Sequence, residues 1–131
     1  MGLFDNFRFH HRFGRQDLGR HGERLAAKEL RKRGYKILER RWRCRLGEID
    51  LIAQDGDTLV IVEVKTRSRR DYGAPADAVD ARKRRKLIQL AEAYLRARGL
   101  RDVIVRFDVV GVVCISGERP EITVLRSAFE A

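Results

Sequence analysis

One stretch of the chain, residues 47–67, constrains the fold more than any other. It reads GEIDLIAQDGDTLVIVEVKTR and holds two apolar runs separated by Asp55 and Gly56. An Asp-Gly pair between two such runs is typical of a β-hairpin with a tight two-residue loop. The sequence therefore predicts two antiparallel strands joined at this loop, with Asp50 opposite Ile61.

The two faces of the predicted hairpin differ in polarity. Because side chains alternate between the faces of a strand, one face is wholly apolar and is expected to be buried, with the members Ile49, Leu51, Ala53, Val60, Val62 and Val64. The other face is apolar near the loop and charged at its far end, where it carries Glu48, Asp50, Glu63 and Lys65. In this register Asp50 and Glu63 are diagonal neighbours on one face.

The charged end of the hairpin has two interpretations. Taken singly, charged residues near strand ends are usually solvated, and an acid facing a lysine is usually a modest surface ion pair. Glu63, however, stands between Val62 and Val64, and a carboxylate there is costly unless a cation or hydrogen bonds satisfy it. As a set, the charged residues therefore indicate a functional site.

Length and charge limit the class of protein. A chain of 131 residues fits one domain with a single core. Its 29 lysines and arginines against 19 acids favour a polyanionic partner, chiefly nucleic acid. No apolar run approaches the length of a membrane span, and Cys44 and Cys114 are too far apart in sequence for a paired motif. These features predict a cytoplasmic protein with reduced thiols and no membrane partner.

Apolar periodicity and turn residues place the other elements. They predict a flexible basic and aromatic tail at 1–17, helices at 18–33 and 77–98, and strands at 35–45, 103–113 and 122–125. A strand, a helix and a strand in succession imply a right-handed parallel crossover. The expected fold is one α/β domain, residues 18–131, with a mixed five-stranded sheet flanked by two main helices.

Further charged residues are candidates for the same site. Glu23 continues the apolar stripe of the first helix, although an ordinary first-turn acid would complement the helix dipole equally well. Lys83 and Lys86 lie at the start of the second helix and are expected near the sheet edge, with a solvated basic face as the alternative. Arg45 and Arg67 flank the hairpin and are candidate phosphate contacts.

The order Asp50, Glu63, Lys65 resembles the motif of the PD-(D/E)XK nuclease superfamily, with Ile49 where the superfamily name has proline. The surrounding sequence resembles the YraN-like family of small bacterial proteins, often labelled endonucleases. The likeness runs from GERLAAKELRKRGYKIL to RFDVV and covers about residues 19–113. It implies a restriction-endonuclease-like core related to Holliday-junction resolvases.

The resemblance also implies roles for individual residues. Asp50 and Glu63 would bind a divalent metal, Mg²⁺ or Mn²⁺, with the Val64 carbonyl as a further ligand. Lys65 would attend the attacking water, and Glu23 matches the acid that related nucleases place on the first helix. The donor types agree with this, because Mg²⁺ prefers oxygen ligands and is commonly held by one or two carboxylates plus substrate phosphate.

Two functions remain open from the sequence. The first is a metal-dependent endonuclease that hydrolyses DNA phosphodiester bonds, with branched or otherwise structured DNA as candidate substrates. The alternative is a catalytically inactive module that keeps the nuclease fold and binds DNA, RNA or the ribosome. Two-fold symmetric substrates such as junctions would suit a homodimer, although no sequence feature marks a dimer face.

Overall fold

The computed structural model describes residues 15–70 and 79–131, which form two helices and five strands. In chain order these are α1 (Arg15–Lys32), β1 (Lys36–Cys44), β2 (Gly47–Asp55), β3 (Thr58–Arg67), α2 (Ala81–Arg98), β4 (Ile104–Val113) and β5 (Glu121–Phe129). Helix α1 begins three residues earlier than predicted, and β5 is longer than the predicted 122–125. The predicted tail up to residue 14 and the start of the predicted second helix at 77 lie outside the described residues.

The strands form one sheet in the order β1-β2-β3-β4-β5. Neighbouring strands are antiparallel except β3 and β4, which run parallel on either side of helix α2 in the chain. The predicted α/β class, the mixed five-stranded sheet, the two helices and the parallel pair are therefore confirmed. Strand β3, which carries Glu63 and Lys65, is the central strand of the sheet.

The hairpin register differs from the prediction by two residues. Asp55 pairs with Thr58 and Leu51 with Val62, so the loop consists of Gly56 and Asp57 instead of Asp55 and Gly56. Gly56 has a φ of 60°, and a two-residue hairpin loop with glycine in the first position suits a type II′ turn. A shift of two residues leaves the side chains of the registered pairs, residues 51–55 and 58–62, on their predicted faces, because the strand period is two.

Each face of the sheet has its own apolar core. One core joins Ala26, Ala27 and Leu30 of α1 to the predicted apolar face of the hairpin. The other joins the predicted stripe of α2, Leu87, Leu90, Ala91 and Tyr94, to the opposite face. Ile49 was predicted in the first core but lies in the second. The reason is that the registered β2–β3 pairs end at Leu51 and Val62, so regular alternation does not continue to Ile49.

Both helices end as the sequence indicates. Asp80 precedes α2, and its carboxylate accepts a hydrogen bond from the Lys83 N–H (2.9 Å), as expected of an N-cap. Gly99 follows α2 with a left-handed φ of 64°. Gly34 follows α1 with a φ of 94°, and the next N–H, of Tyr35, donates to the Leu30 carbonyl at 2.9 Å. The predicted glycine stops are thus confirmed.

Helix α1 lies unusually close to the sheet at Gly22. A Cβ atom added at this glycine would stand 1.9 Å from Thr66 Oγ1, far inside any real contact. A glycine within a helix costs about 1 kcal/mol relative to alanine. The close approach of α1 to β3 explains why glycine stands here. Gly22 immediately precedes Glu23, and Thr66 immediately follows Lys65.

A buried polar network links β4 to the rest of the sheet. The Asp108 carboxylate is 1% exposed and accepts hydrogen bonds from Tyr35 Oη–H (2.8 Å), Arg106 Nε–H (2.9 Å) and the Ser127 N–H (3.0 Å). Arg106 also pairs with Asp55 at 3.0 Å, beside the hairpin loop. Burial, followed by the bond to Asp108, raises the pKa of Tyr35 to about 12.

Cys44 and Cys114 are both free thiols, as predicted. Within residues 15–70 and 79–131, no helix is long and apolar enough to cross a membrane.

Candidate active site

Asp50 and Glu63 meet where β2 separates from β3. The registered β2–β3 pairs end at Leu51 and Val62, the neighbours of the two acids in their strands. The Asp50 carboxylate accepts the Val64 N–H at 2.8 Å, and the Asp50 and Glu63 carboxyl groups are close enough to share a hydrogen bond. The two acids therefore lie together at the point where the strand pairing ends.

Glu63 is the buried member of the pair, with 4% of its surface exposed. Its Oε2 atom lies 3.3 Å from Lys65 Nζ and 3.5 Å from Lys83 Nζ. A buried carboxylate is stable only when cations or hydrogen bonds satisfy it, and here two ammonium groups do so. The prediction that Lys65 shares the face of Glu63 and that Lys83 points toward the sheet agrees with these contacts.

Glu23 reaches the same region from helix α1. Its Oε1 atom accepts a hydrogen bond from Arg41 Nε–H at 2.7 Å, and both side chains are largely buried. Arg41 is a residue that the sequence reasoning missed. It has a φ of 52°, a conformation that favours glycine, asparagine or aspartate, so no local pattern marks it.

The charges of two neighbouring acids act on Asp50. Burial is the largest cause that raises the pKa of Asp50 to about 8, and the negative charges of Glu63 and Glu23 act in the same direction. The hydrogen bond from the Val64 N–H acts in the opposite direction. Asp50 therefore keeps its proton near neutral pH.

Replacing Asp50 by asparagine is expected to stabilise the metal-free protein at neutral and alkaline pH. The folded pKa of Asp50 lies above its unfolded value of 3.8, so the folded state binds the extra proton. The stability that this proton gives to the folded state is fully present below pH 3.8 and is lost as the pH rises through about 8. Asparagine keeps a hydrogen-bonding side chain without the charge. The melting temperature of the Asp50→Asn variant at about pH 8 should therefore exceed that of the wild type by roughly 5 °C or more.

The measurement is thermal unfolding in EDTA at a series of pH values. The difference between the two proteins should shrink toward acid pH, and excess Mg²⁺ should stabilise the wild type but not the Asp50→Asn variant. Equal melting temperatures at all pH values would show that Asp50 titrates normally.

The remaining predicted residues lie around the acids. Lys86 is exposed on α2 and, with Lys83, Arg82 and Arg85, lines an open cleft of about 410 Å³. Arg45 is exposed in the turn between β1 and β2. Arg67 is partly buried at the end of β3, where its carbonyl accepts the Cys114 N–H at 2.7 Å. The phosphate contacts of Arg45, Arg67 and Lys86 stay predictions.

The acid pair supplies oxygen donors of the kind that a hard divalent cation requires. Among the described residues, no group of three or more histidine, cysteine, aspartate and glutamate side chains converges as a ready-made metal cage. Asp50 and Glu63 form a two-carboxylate set, which fits Mg²⁺ because this ion usually keeps several waters and takes further ligands from substrate phosphate. Nothing in this set favours a soft metal.

The fold and the site together define a class: a small basic α/β domain whose single mixed sheet gathers acids, lysines and an arginine where a hairpin opens. The chain belongs to the uncharacterised protein family UPF0102, whose model matches residues 22–112. The predicted YraN-like family is thereby confirmed.

Several bacterial UPF0102 proteins are similar to the chain over most of their length. The protein of Rhodococcus jostii is 50% identical over 112 residues, which cover 86% of this chain and 95% of the relative. That of Geobacter sulfurreducens is 46% identical over 113 residues, covering 86% and 88%. That of Clavibacter michiganensis is 50% identical over 113 residues, covering 86% and 96%.

Proposed function

We propose that this protein is a Mg²⁺-dependent endonuclease that hydrolyses DNA phosphodiester bonds, with a PD-(D/E)XK, restriction-endonuclease-like core. The observation that carries the proposal is the convergence of Asp50, Glu63 and Lys65 at the opening of the hairpin. Two carboxylates beside an ammonium group on a largely apolar sheet match the needs of phosphoryl chemistry: oxygen ligands for a cation, and positive charge for a phosphate. The free thiols are in keeping with a cytoplasmic location.

The chain's own residues would divide the work as follows. Asp50 and Glu63 would hold the ion, with the Val64 carbonyl as a further donor. When bound, Mg²⁺ supplies charge neutralisation at the phosphoryl oxygens and activation of water. The Val64 N–H donates a hydrogen bond to one oxygen of Asp50 and so fixes the orientation of this carboxylate beside Glu63. Because Asp50 carries a proton in the metal-free state, binding of the ion would release it.

The two lysines on Glu63 have separate roles in the proposal. Lys65 extends from the same strand as Glu63, and it would orient the attacking water and stabilise charge that develops on the phosphate. Lys83 reaches Glu63 from α2 and is continuous with the basic cleft of that helix. It would therefore bind a phosphate oxygen of the substrate once the ion compensates the charge of Glu63. The basic surface as a whole would hold the backbone without reading bases.

The test is cleavage of end-labelled linear, nicked and four-way DNA by the purified full chain. We expect cuts with Mg²⁺ or Mn²⁺, none in EDTA, and the highest rate on the branched substrate. The proposal fails if no substrate is cut with either ion and calorimetry detects no Mg²⁺ binding.

One observation favours the alternative of a catalytically inactive DNA-binding module. Glu63 is already satisfied by two ammonium groups, and the described residues hold no cage of three or more ligand side chains. A module of this kind would bind all three DNA substrates with an affinity that is unaffected by Mg²⁺ and would leave them intact. The cleavage assay, read together with a binding assay in EDTA, therefore separates the two functions.

A further inference from the structure

A second basic cleft lies on the α1 side of the acid pair. It has a volume of about 310 Å³, opens to solvent, and is lined by Arg20 and Arg24 of α1, Arg40 and Arg41 of β1, and Glu23. Four guanidinium groups thus surround one carboxylate. Like charges repel, and a single carboxylate leaves most of this positive charge uncompensated. The cleft is therefore electrostatically suited to a further anion.

Arg41 connects this cleft to the acid pair. The β1–β2 pairs Arg40–Leu51 and Trp42–Ile49 place Arg41 opposite Asp50, in the gap between them. Its side chain bonds Glu23, and its guanidinium group lies close enough to the carboxyl groups of Glu48 and Asp50 to interact with them electrostatically. One guanidinium group therefore faces both the cleft and the acids.

The backbone of Arg41 is strained. A φ of 52° inside a strand costs roughly 1–2 kcal/mol for a residue with a Cβ atom. Such conformations persist where the surroundings fix them and are concentrated at functional sites. An arginine in this position has a property that asparagine and glycine lack: a planar fork of donors that matches the oxygens of a phosphate.

We propose that the arginine cleft (Arg20, Arg24, Arg40 and Arg41) binds a backbone phosphate of the DNA strand beside the phosphate held at the acid pair, with Arg41 exchanging Glu23 for that phosphate. The strand assignment rests on the proposed function. The acids then lie between two basic clefts, this one and the α2 cleft that contains Lys83. A strand that crosses the acid pair contacts cations on both sides, and Glu23 is released toward Asp50 only when DNA is present.

The test measures the affinity for a labelled DNA duplex in EDTA, where no cleavage occurs, as a function of salt. Arg41→Asn should weaken binding about 5- to 10-fold and reduce the slope of log K against log salt by roughly one. Asparagine tolerates a positive φ, which offsets part of the stability lost with the Arg41–Glu23 ion pair, so the variant should remain folded. The double variant Arg20→Ala, Arg24→Ala should reduce the slope by about two.

The matched control is Arg96→Ala with Arg101→Ala, which also removes two exposed arginines. Arg96 lies thirteen residues beyond Lys83 on α2, or about 20 Å along the helix axis. This control should change the affinity less than about twofold. Slopes of the cleft variants that equal the slope of the control overturn the proposal.

A double-mutant cycle isolates the exchange of partners. Glu23→Gln should tighten DNA binding in EDTA about 3- to 10-fold, because it releases Arg41. In the Arg41→Asn background this gain should fall to less than half. A gain of the same size in both backgrounds would show that general charge, and not Arg41, responds, which contradicts the proposal.

Three further outcomes separate this inference from free phosphate binding and from the proposed hydrolysis. Arg41-dependent binding of inorganic phosphate without any change in DNA affinity would assign the cleft to free phosphate and overturn the strand assignment. Cleavage by the wild type together with unchanged slopes of the variants refutes the cleft alone. Reduced slopes in a protein that never cuts DNA support the cleft and refute only the proposed hydrolysis.

Discussion

Replacing Glu63 by glutamine is expected to reduce Mg²⁺-dependent DNA cleavage by a factor on the order of 1000 or more. The neutral amide removes one of the two carboxylates that would hold the ion. It also removes the common partner of Lys65 and Lys83, which lie 3.3 and 3.5 Å from the Glu63 carboxylate. Both the affinity for the ion and the placement of the ammonium groups change, so kcat should fall even at saturating Mg²⁺.

The measurement is single-turnover cleavage of the four-way substrate, with DNA affinity determined separately in EDTA. Affinity should stay within about twofold of the wild type or become tighter, since a negative charge has been removed from a basic surface. Glu92→Gln, on the exposed side of α2, is the matched control and should cleave like the wild type. Cleavage by the Glu63→Gln variant at the wild-type rate would assign the activity to a contaminant.

Replacing Asp108 by alanine is expected to lower the free energy of unfolding by about 3–5 kcal/mol. The substitution leaves three donors without their acceptor: the Tyr35 hydroxyl, the Arg106 guanidinium and the Ser127 N–H. Arg106 is itself only 14% exposed, and it would keep its ion pair with Asp55. A charge that loses its buried partner is more costly than the loss of a surface pair.

Denaturant unfolding monitored by circular dichroism measures this effect. Asp57→Ala, in the exposed hairpin loop, is the control and should change stability by less than about 0.5 kcal/mol. Tyr35→Phe removes one donor and no charge, and it should cost about 1–2 kcal/mol. An Asp108→Ala variant as stable as the control would show that the network contributes little to folding.

The hairpin and its acids were predictable because both depend on a short period. Alternating apolar residues define the strands, and the isolated acid Glu63 stands out among valines whatever the exact register. The register itself was wrong by two residues because an Asp-Gly pair and a Gly-Asp pair overlap at Gly56. Both solutions place the same side chains on the same faces, so hydrophobic pattern alone does not choose between them.

Other parts of the site depend on tertiary contacts that no local pattern encodes. Lys83 was predicted to lie near the sheet edge, but its partner, Glu63, is twenty residues earlier and became evident only once α2 was packed on β3. In the sequence, Arg41 is only one of several basic residues in a predicted edge strand. Its left-handed backbone conformation and its bond to Glu23 are evident only in the folded structure, where Arg41 lies between the β1–β2 pairs Arg40–Leu51 and Trp42–Ile49.

The close contact between Gly22 and Thr66 sets the distance between helix α1 and strand β3 beside the site. Because no Cβ atom fits between them, even alanine at residue 22 would force helix α1 and Thr66 apart. Glu23 and its arginine neighbours would move with the helix, whereas Lys65 would stay on the sheet. The absence of a side chain at Gly22 therefore keeps the charged residues of α1 close to those of the hairpin.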